Sequence, residues 1–227
     1  MDYQFDFSFL AEYWPVLLEG VWLTIQLATV SIILGFLVGA VFAVARISRF
    51  ALVRVAAGIY IEVVRNTPLL VQMFIIFFGL SSLGMKLSAN TAAVLALVIN
   101  TSAYTCEIVR AGLESIRKGQ LEAAHCLALT KWQVLRKIVF PPAIENVWPA
   151  LTSQFILLML TTSVTSQISA EELTSIASRV DSTTFRSFEI YIVVAGLYLG
   201  LSFLFRFACW LIGQAVFVRR RRLGPSI

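Results

Sequence analysis

The sequence is short of charge. Asp, Glu, Lys and Arg make up 14% of its 227 residues, where soluble domains carry about 25%. With 59% of the residues hydrophobic and a mean hydropathy of +0.84, too little polar surface exists to cover a water-soluble globule of this length. The same scarcity excludes an intrinsically disordered chain and a nucleic-acid-binding one, which needs a broad basic surface. Histidine is nearly absent. His125 is the only one, and one histidine supplies neither a metal site nor a proton relay. The three cysteines, Cys106, Cys126 and Cys209, stand singly, without the spacing of a zinc site or a disulfide framework, and read as small apolar filler. Lys and Arg are missing from the first twenty residues, which carry Asp2, Asp6, Glu12 and Glu19. This is the reverse of a signal peptide's basic start. With Tyr3, Phe5, Phe7, Phe9, Tyr13 and Trp14, residues 1–19 are expected to lie as an amphipathic segment in the headgroup layer.

What the sequence does have is long apolar runs. A helix needs roughly 20 such residues to cross about 30 Å of hydrocarbon, and five stretches qualify: 21–45, 59–83, 89–109, 148–167 and 191–218. No alternating barrel pattern occurs, so the expected class is an all-α integral membrane protein with five transmembrane helices. The second stretch is interrupted by Glu62, Arg65 and Pro68. Proline lacks the N–H that a helix requires, so a kink, or a fresh start near Leu69, is expected there. No internal repeat or Gly/Ser linker is visible, and residues 20–218 read as one transmembrane domain, with 219–227 as a basic tail.

Orientation follows from the loops, because Lys and Arg accumulate on the cytoplasmic side. Thirteen fall in the connection after the first span, the connection after the third and the tail (Arg219 to Arg222), against Lys86, Arg179 and Arg186 on the opposite side. The N-terminus is therefore expected outside and the C-terminus in the cytoplasm. The tail arginines act either as a stop-transfer anchor or in lipid recognition.

The connection 110–144 is too long and too patterned to be mere linkage. Gly119 precedes a short helix-forming run in which Glu122 is expected in the first turn, where a carboxylate meets the positive end of the helix dipole. Ala123 and Ala124 give that helix a bare face for close approach by another protein. Pro141 and Pro142 are expected to stop any helix before the fourth span. A short exposed helix held between two spans is a mechanical contact.

Glu122-Ala123-Ala124, Leu127, Ile138 and Pro141 resemble, at matching spacings over about 20 residues, the EAA loop of ABC importer permeases. Residues 62–72, together with Ala103-Tyr104 and Glu107-Ile108-Val109-Arg110-Ala111-Gly112, resemble the polar amino-acid branch of that family, and the likeness extends from about residue 20 to 217. The resemblance implies a type I importer subunit in the bacterial inner membrane. A second permease, identical or paralogous, shares the pathway; two cytoplasmic ATPases drive it; an external binding protein delivers an amino-acid-like solute. It also implies that Gly119, Glu122, Ala123, Ala124, Leu127, Ala128 and Pro141 serve the contact with the ATPase. The chain has no G-x-x-x-x-G-K-[ST], so ATP and magnesium are expected on the partner and no cofactor on this chain. Two positions depart from the family. Ala128 stands where glycine usually ends the coupling helix, and a left-handed alanine costs of order 1 kcal/mol, so a slightly different turn that keeps the contact is expected. Leu160-Thr161 replaces a Lys-Asp pair, which disfavours a cationic solute.

Gln154, Thr161 and Thr165 fall at i, i+7 and i+11 on one helical face, with Thr162 beside them. They either line a solute pathway, together with Gln72, or bond their own helix carbonyls and neighbouring helices. Glu62 with Arg65, and Glu107 with Arg110, are i, i+3 pairs that either form an inner gate or merely satisfy each other's charge. Gly35 and Gly39 form a G-x-x-x-G without an evident partner helix, and Trp132 and Trp148 read as interfacial anchors. An intramembrane protease would need a Ser-His, Asp-Asp or HExxH arrangement that is missing, and a passive channel would leave the patterned 122–141 segment without a purpose.

Overall fold

A computed structural model of the chain describes residues 5–217. The first four residues of the amphipathic segment and the tail arginines Arg219 to Arg222 lie outside the described residues. Among these, every regular element is helical. Eight helices follow in order: α1 (Leu10–Arg46), α2 (Ala51–Arg65), α3 (Leu69–Ser82), α4 (Ala89–Glu114), α5 (Lys118–Cys126), α6 (Lys131–Ile168), α7 (Leu173–Thr184) and α8 (Ser187–Val216). Four of them, α1, α4, α6 and α8, are long and apolar enough to span a bilayer, and α2 with α3 forms a fifth, broken candidate bent by 105°. The bend falls at Asn66-Thr67-Pro68, where the proline ring starts α3 and cannot continue α2.

The bundle is built around α4. Over its most apolar eighteen residues 56% are buried, against 17% in α8, so α4 is the axis and α8 the rim. Its main partner is α1, and the G-x-x-x-G now has a use. A Cβ on Gly39 would stand 2.7 Å from the Ser102 carbonyl oxygen, and one on Gly35 would stand 2.9 Å from Thr101. Only glycine permits this approach. The pairing also shows that the two helices run in the same direction.

Three sequence expectations are revised. The helix at the N-terminus begins at Leu10 and continues unbroken to Arg46, so the second half of the 1–19 segment is the first turns of α1. Of the described residues ahead of α1, Asp6 is tied to the start of α8: the Arg186 guanidinium reaches Asp6 at 3.2 Å and Glu189 at 3.4 Å. Pro141 and Pro142 do not stop a helix. They lie in the first turn of the α-helical stretch beginning at Phe140, directly after a π-helical turn over Val134–Val139. A first turn has no use for the N–H that proline lacks, and the wide π-turn accommodates the rings, so α6 is helical from Lys131 to Ile168. Trp148 is not an interfacial anchor. Its indole N–H donates to the Cys209 carbonyl at 3.2 Å and its ring packs edge-on against Phe217, which locks α6 to α8. Trp132 stays exposed.

At the opposite end, Glu172 is fully buried and caps α7, accepting from the Thr174 and Ser175 amides and from the Tyr198 hydroxyl. Burial outweighs these bonds and raises its pKa above the ordinary 4.5.

Candidate functional site

The first candidate site is α5, a stub of nine residues held between two membrane-length helices. Glu114 ends α4 four residues before Lys118, and Cys126 precedes the start of α6 by five. The stub starts at Lys118, one residue ahead of Gly119, because Arg117 takes the extended conformation of an N-cap. Glu122 therefore sits in the second turn, beyond the favourable dipole position, and points outward. The two alanines do not share a face. Ala124 is 2% exposed and faces the rest of the chain, while Glu122, Ala123 and Leu127 face out, Leu127 at 73% exposure. The outward surface is thus Glu122–Ala123–Leu127.

The end of α5 is a Schellman turn. Ala128 has φ 51°, its amide donates to the His125 carbonyl at 2.9 Å, and the Leu129 amide donates to the Ala124 carbonyl at 3.2 Å. The altered turn expected at Ala128 does not form: the alanine takes the left-handed conformation itself and the turn closes around it. Thr130 and Gln133 then form a capping box that starts α6. A cavity of about 540 Å³ opens between α5, the π-turn of α6 and the end of α8, lined by Ala123, Leu127, Pro141, Glu145 and Phe217 among others.

The second candidate site lies at the broken span. Where α2 ends, Gln72 folds back from α3, its side-chain amide donating to the Val64 carbonyl at 2.6 Å and to the Thr67 hydroxyl at 2.7 Å, while its oxygen accepts from Asn100 of α4 at 3.1 Å. Gln72 thereby caps carbonyls freed by the break. It sits behind the site and does not line it. In front is a cavity of about 430 Å³ walled by Arg65, Asn66, Thr67, Pro68 and Leu69 from the break, Asn100 and Tyr104 from α4, and Gln154, Leu157, Leu158 and Thr161 from α6.

Of the sequence candidates, Gln154 and Thr161 line this cavity; Thr162 and Thr165 do not. Both are fully buried and donate to the Met159 and Thr162 carbonyls at 2.7 and 2.6 Å. Thr162, one residue on, points about 100° round the helix from Thr161, and the separation of Thr165 has a plain cause: α6 tightens into a 3-10 helix over Thr162–Ile168. At three residues per turn, Thr165 rotates roughly 80° away from the face that α-helical spacing assigned it. Asn66, Thr67, Asn100 and Tyr104 were missed as lining residues. The signal available was amide and hydroxyl side chains at a proline break and inside an apolar run.

The two charge pairs differ. Glu107 and Arg110 join through a two-pronged contact at 2.7 and 3.2 Å, Arg110 also holds Glu114 at 2.7 Å, and Arg46 from α1 stands 3.8 Å from Glu107. Glu62 and Arg65 make no pair. The Asn66 amide takes the Glu62 carboxylate at 3.0 Å, and the Arg65 guanidinium lies over the Tyr104 ring, 5.5 Å from its centre.

Comparison with known proteins gives a consistent picture. A family model described as binding-protein-dependent transport system inner membrane component matches residues 20–222. The nopaline transport system permease protein NocM of Agrobacterium fabrum is 38% identical over 208 residues, covering 87% of this chain and 86% of that protein. The L-cystine transport system permease protein TcyB of Bacillus subtilis is 34% identical over 216 residues, covering 95% and 90%. Among solved structures, one described as an amino acid ABC transporter with histidines superposes with a TM-score of 0.86 at 37% identity, covering 94% of this chain and all of that one.

Proposed function

The chain belongs to the family of binding-protein-dependent transport system inner membrane components, and from that membership we propose that it is the permease of an ATP-driven importer carrying an amino acid or a close derivative inward across the bacterial inner membrane. The relatives named for nopaline and L-cystine transport support the amino-acid class. In this reading the chain pairs with a second permease, identical or paralogous. An external binding protein delivers the solute, and two ABC ATPases, which hold ATP and magnesium, grip α5 on the cytoplasmic side. The thirteen-to-three distribution of Lys and Arg supports placing α5 in the cytoplasm and the N-terminus outside.

One observation carries the reading: α5 presents Glu122, Ala123 and Leu127 outward while its other side is anchored by the buried Ala124. An apolar side chain as exposed as Leu127 on a short rigid helix suits a protein contact. The flanking helices suit force transmission, because the connections to α4 and α6 are too short to absorb a displacement of α5. The broken span then offers the pathway, with Gln154, Thr161, Asn66 and Asn100 as neutral polar groups for a solute.

The test places a charge on the outward face. Ala123→Asp and Leu127→Asp should reduce binding-protein-stimulated ATP hydrolysis of the assembled complex to its unstimulated level while membrane insertion persists. Full stimulation in both variants would remove the assignment. Ala124→Asp is the wrong probe for this contact, since it buries a charge inside the chain.

A further inference from the structure

We infer that Arg65 is the carboxylate-binding residue of the cavity at the broken span, so that the cavity takes a solute through its carboxylate and favours solutes whose remainder is neutral or acidic. This inference rests on the amino-acid reading given above.

Arg65 is the single charged residue lining that cavity; its other polar groups are the neutral amides and hydroxyls of Asn66, Thr67, Asn100, Gln154 and Thr161. Among the described residues Arg65 has no ion-pair partner. The acidic groups that could serve are committed elsewhere: Glu62, three residues earlier on α2, bonds the Asn66 amide, and Glu107, three residues beyond Tyr104, is held by Arg110 and Arg46. What Arg65 has is the Tyr104 ring beneath it. A ring face attracts a cation weakly and leaves the guanidinium's in-plane N–H groups free for hydrogen bonding. Arg65 ends α2 at the break and is exposed to the open cavity, and a planar fork matches a carboxylate with two parallel hydrogen bonds. The wall thus holds a positive charge, positioned from below, that feels Glu107 only at a distance and whose N–H fork is engaged by no carboxylate of the described residues. A solute with a cationic side chain meets no carboxylate on the lining to balance it.

The test uses the purified permease–ATPase complex without the binding protein and reads the thermal shift produced by a panel of free L-amino acids. L-glutamine and its α-carboxamide form a matched pair, and L-lysine is the cationic probe. In the wild type, neutral and acidic free amino acids should raise the midpoint and the carboxamide should not, nor should L-lysine. Arg65→Gln should weaken the apparent affinity roughly ten- to hundredfold, the loss of one charge-assisted contact. Arg65→Lys, which keeps the charge without the fork, should recover part of it. Equal shifts from L-glutamine and its carboxamide, or L-lysine as the strongest ligand, would overturn the role of Arg65 and leave the amino-acid reading standing. A wild type that responds to no member of the panel would overturn the amino-acid reading, and this inference with it. The carboxamide comparison is made in the wild type, so the outcome does not depend on the variants folding.

Discussion

The side-chain nitrogen of Gln72 lies 2.6 Å from the carbonyl oxygen of Val64, and this contact mends the chain where Pro68 breaks it. A helix end buried in a bundle must find partners for its last carbonyls. Here they come from a residue that starts the next helix, and Asn100 holds that residue in place from α4. The break is therefore a fixed corner, and the cavity behind which Gln72 stands has a defined wall.

Replacing Gln72 with Leu should cost about 1–3 kcal/mol, the penalty of leaving a buried acceptor without a donor. The measurement is the thermal midpoint of the solubilised complex with helical content followed in parallel. An unchanged midpoint would mean that water substitutes for the amide.

Ala128→Gly should act in the opposite sense. The left-handed turn at φ 51° strains an alanine by about 1 kcal/mol, and glycine removes the strain while both turn hydrogen bonds remain. A raised midpoint is expected, and Ala128→Val should lower it.

The α1–α4 seam makes a sharper contrast. Gly39→Leu forces a side chain onto the Ser102 carbonyl, 2.7 Å from where its Cβ would stand, and overpacking of this kind costs typically 1–3 kcal/mol. Gly200 on α8 has nothing within 4 Å of its would-be Cβ, so Gly200→Ala should leave the midpoint unchanged or raised. Equal effects at the two positions would contradict the packing described.

Glu172 makes stability depend on pH. Its pKa is raised in the folded chain by burial, so the folded state binds its proton more tightly than the unfolded state does. The contribution is fully present below about 4.5, the unfolded value, and is lost as pH rises through the raised folded value. Thermal midpoints across that window should fall with rising pH, and Glu172→Gln, which cannot titrate, should flatten the trend at this site.

The apolar runs of α1, α4 and α8 and the proline break were legible in the sequence because each depends on composition or on one residue's geometry. Thr165 was not, because face assignment presumes a constant 3.6-residue turn and α6 departs from it at both ends. The Glu62–Arg65 pair was misjudged for another reason. Spacing of three makes contact possible, but Asn66 and Tyr104 compete for the same two side chains, and competition is invisible to spacing. Ala124 shows the limit at α5: a bare residue suits a close contact equally well whether the neighbour is another protein or the chain's own fold.

From Lys131 to Ile168 no residue leaves helical conformation, although the winding is slack at one end and tight at the other. Such an element behaves as one continuous shaft whose coil widens near one tip and narrows near the other. A push delivered beside Lys131 has no pliable link in which to dissipate before it arrives at Gln154 and Thr161, so the two regions are geared together by construction.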